Sequence, residues 1–230
     1  MDDPLADFAS LLQQELIPDW CADPLREMNS CGFKWGSVRL AASDALDFLR
    51  AWNSGLVRRE RPGCYRAHRG AALEQFFWDG PKVPVPRSYT LWLEPLISFA
   101  ALARLHLDFG WPADLIGTQS DDWAFDVVCF RPGSEIEHVA GEVKKSASEI
   151  DALINLMVHF GQDPDAPPPP SGRERNAYKK VMALRERRAP VFWALGPAGY
   201  GNVFRVGYEN ERVSFTSTDD RALQFSPPPD

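Results

Sequence analysis

Asp126 and Glu142 lie sixteen positions apart, and Lys144 follows two beyond the second, all within WAFDVVCFRPGSEIEHVAGEVKK (123–145). The two flanking runs, WAFDVVCF and HVAGEVKK, are apolar enough to be buried strands, where an uncompensated charge is costly. Side chains alternate along a strand, so Glu142 and Lys144 share one face while Val143 and Lys145 take the other. RPGS is a turn, and antiparallel pairing across it would bring Asp126 within reach of Glu142 and Lys144. Two converging carboxylates are hard-oxygen donors suited to Mg²⁺ or Mn²⁺. Such an ion polarises a phosphoryl oxygen and acidifies water, and a nearby lysine stabilises the charge of a phosphorane-like transition state. Phosphodiester hydrolysis fits this set better than acyl transfer. The plain alternative is a structural ion pair of Lys144 with Asp126 or Glu142, which leaves one carboxylate unpaired. Asp121 and Asp122 stand just ahead of the strand and could replace or supplement Asp126; the strand context favours Asp126.

The elements that must position these residues follow from periodicity and punctuation. A helix is predicted over residues 4–17, capped by Asp3 and ended by Pro18, and a second over 43–53 with Ser43 as cap. A short helix is expected at 71–78, and the proline-rich exit DGPKVPVPRS marks a boundary near residue 88. Beyond it come a helix from Thr90 to Gly110, a short strand in ADLIGTQ, the two strands above, and a helix capped by Ser146 and ended by Gly161. DPDAPPPPSG is a loop able to move. A basic helix, the strand APVFWALG and a hairpin around Glu209 and Asn210 follow, and SPPPD is a disordered tail. Strands adjoining one another between helices predict an α/β architecture with a mixed sheet covered on both faces. The expected division is a mostly helical region at 1–88, a core at 89–225 and a tail at 226–230.

Hydrophobic residues make up 44% and charged residues 25%, values of an ordinary soluble globular protein. The start is acidic where a secretory signal would be basic, and no apolar run is long enough to span a bilayer; a cytoplasmic protein with no membrane partner is expected. Cys21, Cys31 and Cys64 with His68 offer zinc-type ligands but no C-x-x-C pair, and read better as small buried hydrophobes and a surface histidine. The net charge of −7 argues against a general nucleic-acid coating protein. Yet RERNAYKKVMALRERR, residues 173–188, holds seven Lys or Arg against two Glu. That local +5 leaves −12 on the rest and can hold a polyanion at one place, unless it is merely a solvated helix face. Lys179, Lys180, Arg185, Arg187 and Arg188 are the candidate phosphate contacts. Trp92, Trp123 and Trp193 read as packing residues.

FDVVCF…GEVKK resembles the PD-(D/E)XK phosphodiesterase superfamily, the restriction-endonuclease-like nucleases, although Phe125 stands where the name-giving proline would be. The family's core order of helix, three strands, helix, strand matches the order read between residues 90 and 196. The resemblance covers roughly the last 140 residues. It implies that Asp126 and Glu142 bind Mg²⁺ (with Mn²⁺ as substitute), that Lys144 orients or activates water, that the Val143 carbonyl completes the metal shell, and that Glu94 assists. The implied function is a metal-dependent nuclease, DNA favoured over RNA and endonuclease over exonuclease, serving phage defence or as an antibacterial toxin. The alternative is a catalytically silent member of the same fold that binds a protein partner through its acidic surface or N-terminal region.

Overall fold

The computed structural model describes residues 3–83 and 86–227. Asp3 accepts a hydrogen bond from the Leu5 amide (3.0 Å) and starts α1 (Pro4–Leu11), with Pro4 in the first turn. Pro18 does not end this helix. The backbone widens into a π turn over Leu12–Leu16 and resumes as α2 (Ile17–Cys21), with Pro18 in the first turn of the second segment. A proline ring clashes with the carbonyl four residues back, and the π turn opens the ladder at that place. α3 (Ala42–Asn53) starts one residue before Ser43, which therefore does not cap it.

The helix expected at 71–78 is replaced by extended chain. β1 (Arg58–Arg61) pairs with β2 (Cys64–Arg66), and β3 (Phe77–Asp79) pairs antiparallel with β4 (Tyr89–Leu91). Phe77 and Tyr89 are diagonal neighbours across β3 and β4, with ring centroids 5.5 Å apart, an aromatic contact that favours the pairing. Thr90 is thus a strand residue, and α4 (Leu93–Ala103) follows Trp92, closing through a π turn at Arg104–Asp108 before Gly110. The pairing of β3 with β4 crosses the boundary expected at residue 88. One apolar cluster also runs from Phe8 and Phe48 through Phe99 to Val143 and Trp193, so the two regions share a core. Positions 84 and 85 of the proline-rich exit, and the last three of the tail, lie outside the described residues.

Six strands make one mixed sheet in the order β10-β9-β8-β7-β6-β5. β5 (Ile116–Thr118), β6 (Val127–Phe130) and β7 (Glu137–Val143) form an antiparallel meander. α5 (Ala147–Gln162), whose Ser146 cap accepts from the Glu149 amide, and α6 (Gly172–Arg187) then return the chain to β8 (Val191–Leu195), parallel to β7. β9 (Gly201–Glu209) and β10 (Arg212–Thr218) close the far edge as a hairpin. Period-two alternation sends Val127, Val139, Val143 and Trp193 toward α3 and α4, and Val128, Ala140, Phe192 and Ala194 toward α5 and α6. The result is a three-layer α/β arrangement. Among the described residues no helix is long and apolar enough to cross a membrane.

The edge strand β5 is covered by the segment from Arg69 to Ala71, which donates amides to the carbonyls of Ile116 and Gln119. Gly117 permits that approach. A β-carbon there would stand 2.4 Å from the Arg69 carbonyl carbon and 2.8 Å from the Gly70 nitrogen. Gly117→Ala is therefore expected to destabilise the fold by about 1–3 kcal/mol, seen as a lower denaturant midpoint at unchanged slope. Gly36→Ala, with open space around the added carbon, is the control expected within about 0.5 kcal/mol of wild type. Equal midpoints for the two variants would refute the covering role of this segment.

Candidate active site

The register that pairs Val127 with Gly141 sets Asp126, one step before β6, opposite Glu142. Facing residues of an antiparallel pair point to one side, so the two carboxylates converge as the alternation predicts. Asp126 Oδ2 accepts the Val143 amide at 2.9 Å, and its Oδ1 lies 3.4 Å from Gln119 Nε2. Glu142 is 1% exposed, and its two oxygens are taken by two ammonium groups: Oε1 by Lys144 Nζ and Oε2 by Lys180 Nζ, each at 2.5 Å. Lys144 also donates to the Val143 carbonyl at 2.8 Å.

Lys180 is the residue that the basic run disguised. It is 4% exposed, bonded to Glu142 and to the Ala124 carbonyl (2.6 Å), and so is not free to contact phosphate. Its signal was periodicity: Ala177, Lys180, Val181 and Leu184 form the stripe that α6 turns to the sheet. Arg187 is likewise spent, on Asp122 at 2.5 Å and Glu137 at 2.6 Å. Arg188 stacks over Tyr208 and lies 3.7 Å from Glu211, and Arg185 tucks its Nε and Nη2 away from solvent. Of the five expected phosphate contacts only Lys179 projects freely, joined by Arg173 near the start of α6. The proline loop ahead of α6 is tied down by Arg175, which donates to the Pro169 carbonyl (2.9 Å).

Beside Lys144 opens a cleft of about 200 Å³, lined by Glu94, Lys145, Glu149, Arg173 and Asn176 with Leu153 and Leu156 as apolar wall. Glu94 enters from the first turn of α4. Lys145 does not go to the opposite face: β7 ends at Val143, alternation lapses, and the exposed Lys145 lines the same cleft, 4.0 Å from Glu149.

A further carboxylate had no sequence signal at all. Glu74, held by a backbone bridge to Tyr65, is 6% exposed and close enough to Asp126 to feel its charge. Glu74 Oε1 and the buried Thr118 Oγ1 both lack hydrogen-bond partners. Burial first, and Asp126 second, push the Glu74 carboxyl up to about 7, with Gln119 and Thr118 acting weakly the other way. Burial and Asp126 raise Glu142 to about 7 as well, against the pull of Lys180 and Lys144. Glu94 is raised by burial and by Asp126, and lowered by Lys144. Burial alone would lower the Lys144 pKa; Glu142 and Asp126 override it, so the group is an ammonium at neutral pH and not a base.

Glu74, Glu94 and Glu142 thus each feel the charge of Asp126, and Glu142 alone is bonded to both Lys144 and Lys180. Among the described residues no three His, Cys, Asp or Glu side chains converge into a ready metal cage. Lys144 Nζ spans Glu142 Oε1 and the Val143 carbonyl, so the cation held at this place is the chain's own ammonium. Comparison of the chain with protein-family models, with curated proteins and with solved structures finds no match in any of the three.

The Glu74 shift has a thermodynamic signature. A carboxyl raised by folding keeps its proton in the native state where the unfolded chain has lost it. The native state then binds more protons between about 4.5 and about 7, so stability falls as pH rises through that window and stays lower above it. Glu74→Gln is expected to raise Tm by about 3–6 °C at pH near 8 and to change it little near pH 4. A pH-independent difference in melting would show that Glu74 is not a strained acid.

Proposed function

We propose that this chain is a metal-dependent nuclease built on a restriction-endonuclease-like core. The observation that supports it most is the register of β6 and β7, which sets Asp126 opposite Glu142, with Lys144 bonded to Glu142 and lining a cleft together with Glu94. The run α4, β5, β6, β7, α5, β8 supports the same reading, with α6 added before the last strand.

Asp126, Glu142 and the Val143 carbonyl would hold Mg²⁺, with Glu94 assisting. When bound, the ion would supply polarisation of a phosphoryl oxygen and acidification of water. Lys144, kept protonated by its acidic neighbours, stabilises negative charge building on the phosphoryl oxygens. Glu94, raised by burial and by Asp126 and drawn down by Lys144, stands in the cleft to assist in holding the ion. Arg173 and Lys179 contact the backbone and orient it without reading bases.

One observation favours the other reading, a silent module of the same fold that binds a protein partner: Lys180 supplies Glu142 with a second internal cation, which eases the charge without a metal. A hydrolysis assay separates the two. Cleavage of nucleic acid is expected to require Mg²⁺ or Mn²⁺ and to fall by about 10³-fold or more in Asp126→Ala and in Glu142→Gln. Gln is chosen at 142 because it keeps the side-chain shape and one oxygen that still accepts from a lysine. Lys144→Met should be as inactive, whereas Lys145→Met should keep kcat and raise KM only modestly. Full hydrolysis in excess EDTA would overturn the proposal, and a well-folded protein with no hydrolysis under any metal would favour the silent module.

A further inference from the structure

Trp123 was expected in the core, and it is not there. The indole is 71% exposed, and the backbone beneath it is left-handed, with φ at 63°. That region is disfavoured for a residue with a β-carbon, and an exposed ring recovers nothing through burial. The turn is held in place regardless. Ser120, 1% exposed, accepts the Ala124 amide (2.9 Å) and the Phe125 amide (3.1 Å) at Oγ and donates to Asp122 Oδ1 (2.8 Å). The Trp123 amide donates to the Ser120 carbonyl (2.8 Å), Arg187 clamps Asp122, and Lys180 clamps Ala124. The same two cations that reach the buried acids therefore fix the presentation of this ring.

Trp123 forms one wall of a groove of about 430 Å³ whose opposite wall is α6, with Asn176 and Lys179. Asn176 also lines the cleft of Glu94, Lys144 and Arg173, so the two depressions adjoin along α6. Neither Arg173 nor Lys179 forms an ion pair among the described residues. These two cations beside the groove, on a chain of net charge −7, are too few for the many phosphate contacts of a duplex. A flexible single strand needs fewer, because a base stacked on an aromatic face shares the work.

We infer that Trp123 is a stacking platform for one base of single-stranded nucleic acid, whose backbone passes Lys179 and Asn176 toward Asp126 and Glu142. The inference rests on the nuclease reading and narrows its substrate class. The test is fluorescence anisotropy of the full chain in EDTA, with a labelled oligothymidylate of about 12 nucleotides and a blunt duplex of the same length. Trp123→Asn keeps a residue that tolerates the left-handed backbone while removing the ring. It is expected to weaken single-strand binding by about 5- to 150-fold, with Trp123→Phe retaining most of the affinity and the duplex binding more weakly than the single strand throughout. Equal affinity of wild type and Trp123→Asn, or a preference for the duplex, would overturn the stacking site while Mg²⁺-dependent cleavage could stand. No binding of either probe by wild type would remove the nucleic-acid reading together with it.

Discussion

Glu142 sits in the middle layer of the molecule at 1% exposure, and the surrounding fold is arranged to make that tolerable. A buried carboxylate without partners costs several kcal/mol, and removing one member of such a set typically costs about 3–5 kcal/mol. One of its ammonium partners comes from its own strand end, and the other crosses from α6. Docking α6 on the sheet therefore depends on Lys180 reaching Glu142 as well as on Val181 and Leu184 filling the apolar layer. Lys180 further holds the Ala124 carbonyl, so the turn that leads into Asp126 is fastened by the same ammonium. Sheet, helix and turn are coupled through one buried charge, and a loss at any of the three is felt at the others.

The first 88 residues serve this centre as a wall. Their aromatics, Phe8, Phe48, Phe76 and Phe77, continue the core beneath α4 and fix its first turn, from which Glu94 enters the cleft. The segment from Arg69 to Ala71 covers the edge of β5, and the chain just beyond it brings Glu74 in beside Asp126. An uncovered edge strand would expose unpaired amides; here the cover also adds a carboxyl to the site.

The acidic pair and Lys144 were legible because they depend on local rules: alternation by two, a turn between two apolar runs, and antiparallel pairing. The order of elements after residue 90 was legible for the same reason. Helix ends were less so. Ser43, Thr90 and Pro18 are good boundary signals in isolation, but packing of the apolar stripes at the flanking positions overrode each of them. Lys180 was hidden by composition, since it belongs both to a run of cations and to the stripe of α6, and charge was read ahead of periodicity. Lys145 shows where alternation stops, one residue past the last ladder bond. Glu74 and Trp123 could not be read at all. Their positions are set by contacts with chain far away in sequence, and by a left-handed turn whose hydrogen bonds no residue pattern announces.

The charges at the centre do not balance, and the imbalance has a direction. Glu74, Glu94, Asp126 and Glu142 face Lys144 and Lys180, so full ionisation would leave two negative charges in a largely dry region. The protein answers by raising three of the carboxyl pKa values, those of Glu74, Glu94 and Glu142. A purely structural cluster would be more stable with fewer acids, because each protonated carboxyl still lowers stability above its ordinary titration range. Glu142 is fully matched by its two lysines, whereas among the described residues Glu74 pairs with no cation and its Oε1 has no hydrogen-bond donor. The excess lies on the Asp126 side of the sheet end, toward Glu74. A further positive charge arriving there would favour the ionised form of Glu74, which would couple cation binding to proton release. Burial of more acid than base is a cost to the fold alone, and it is the feature that the proposed metal site would put to use.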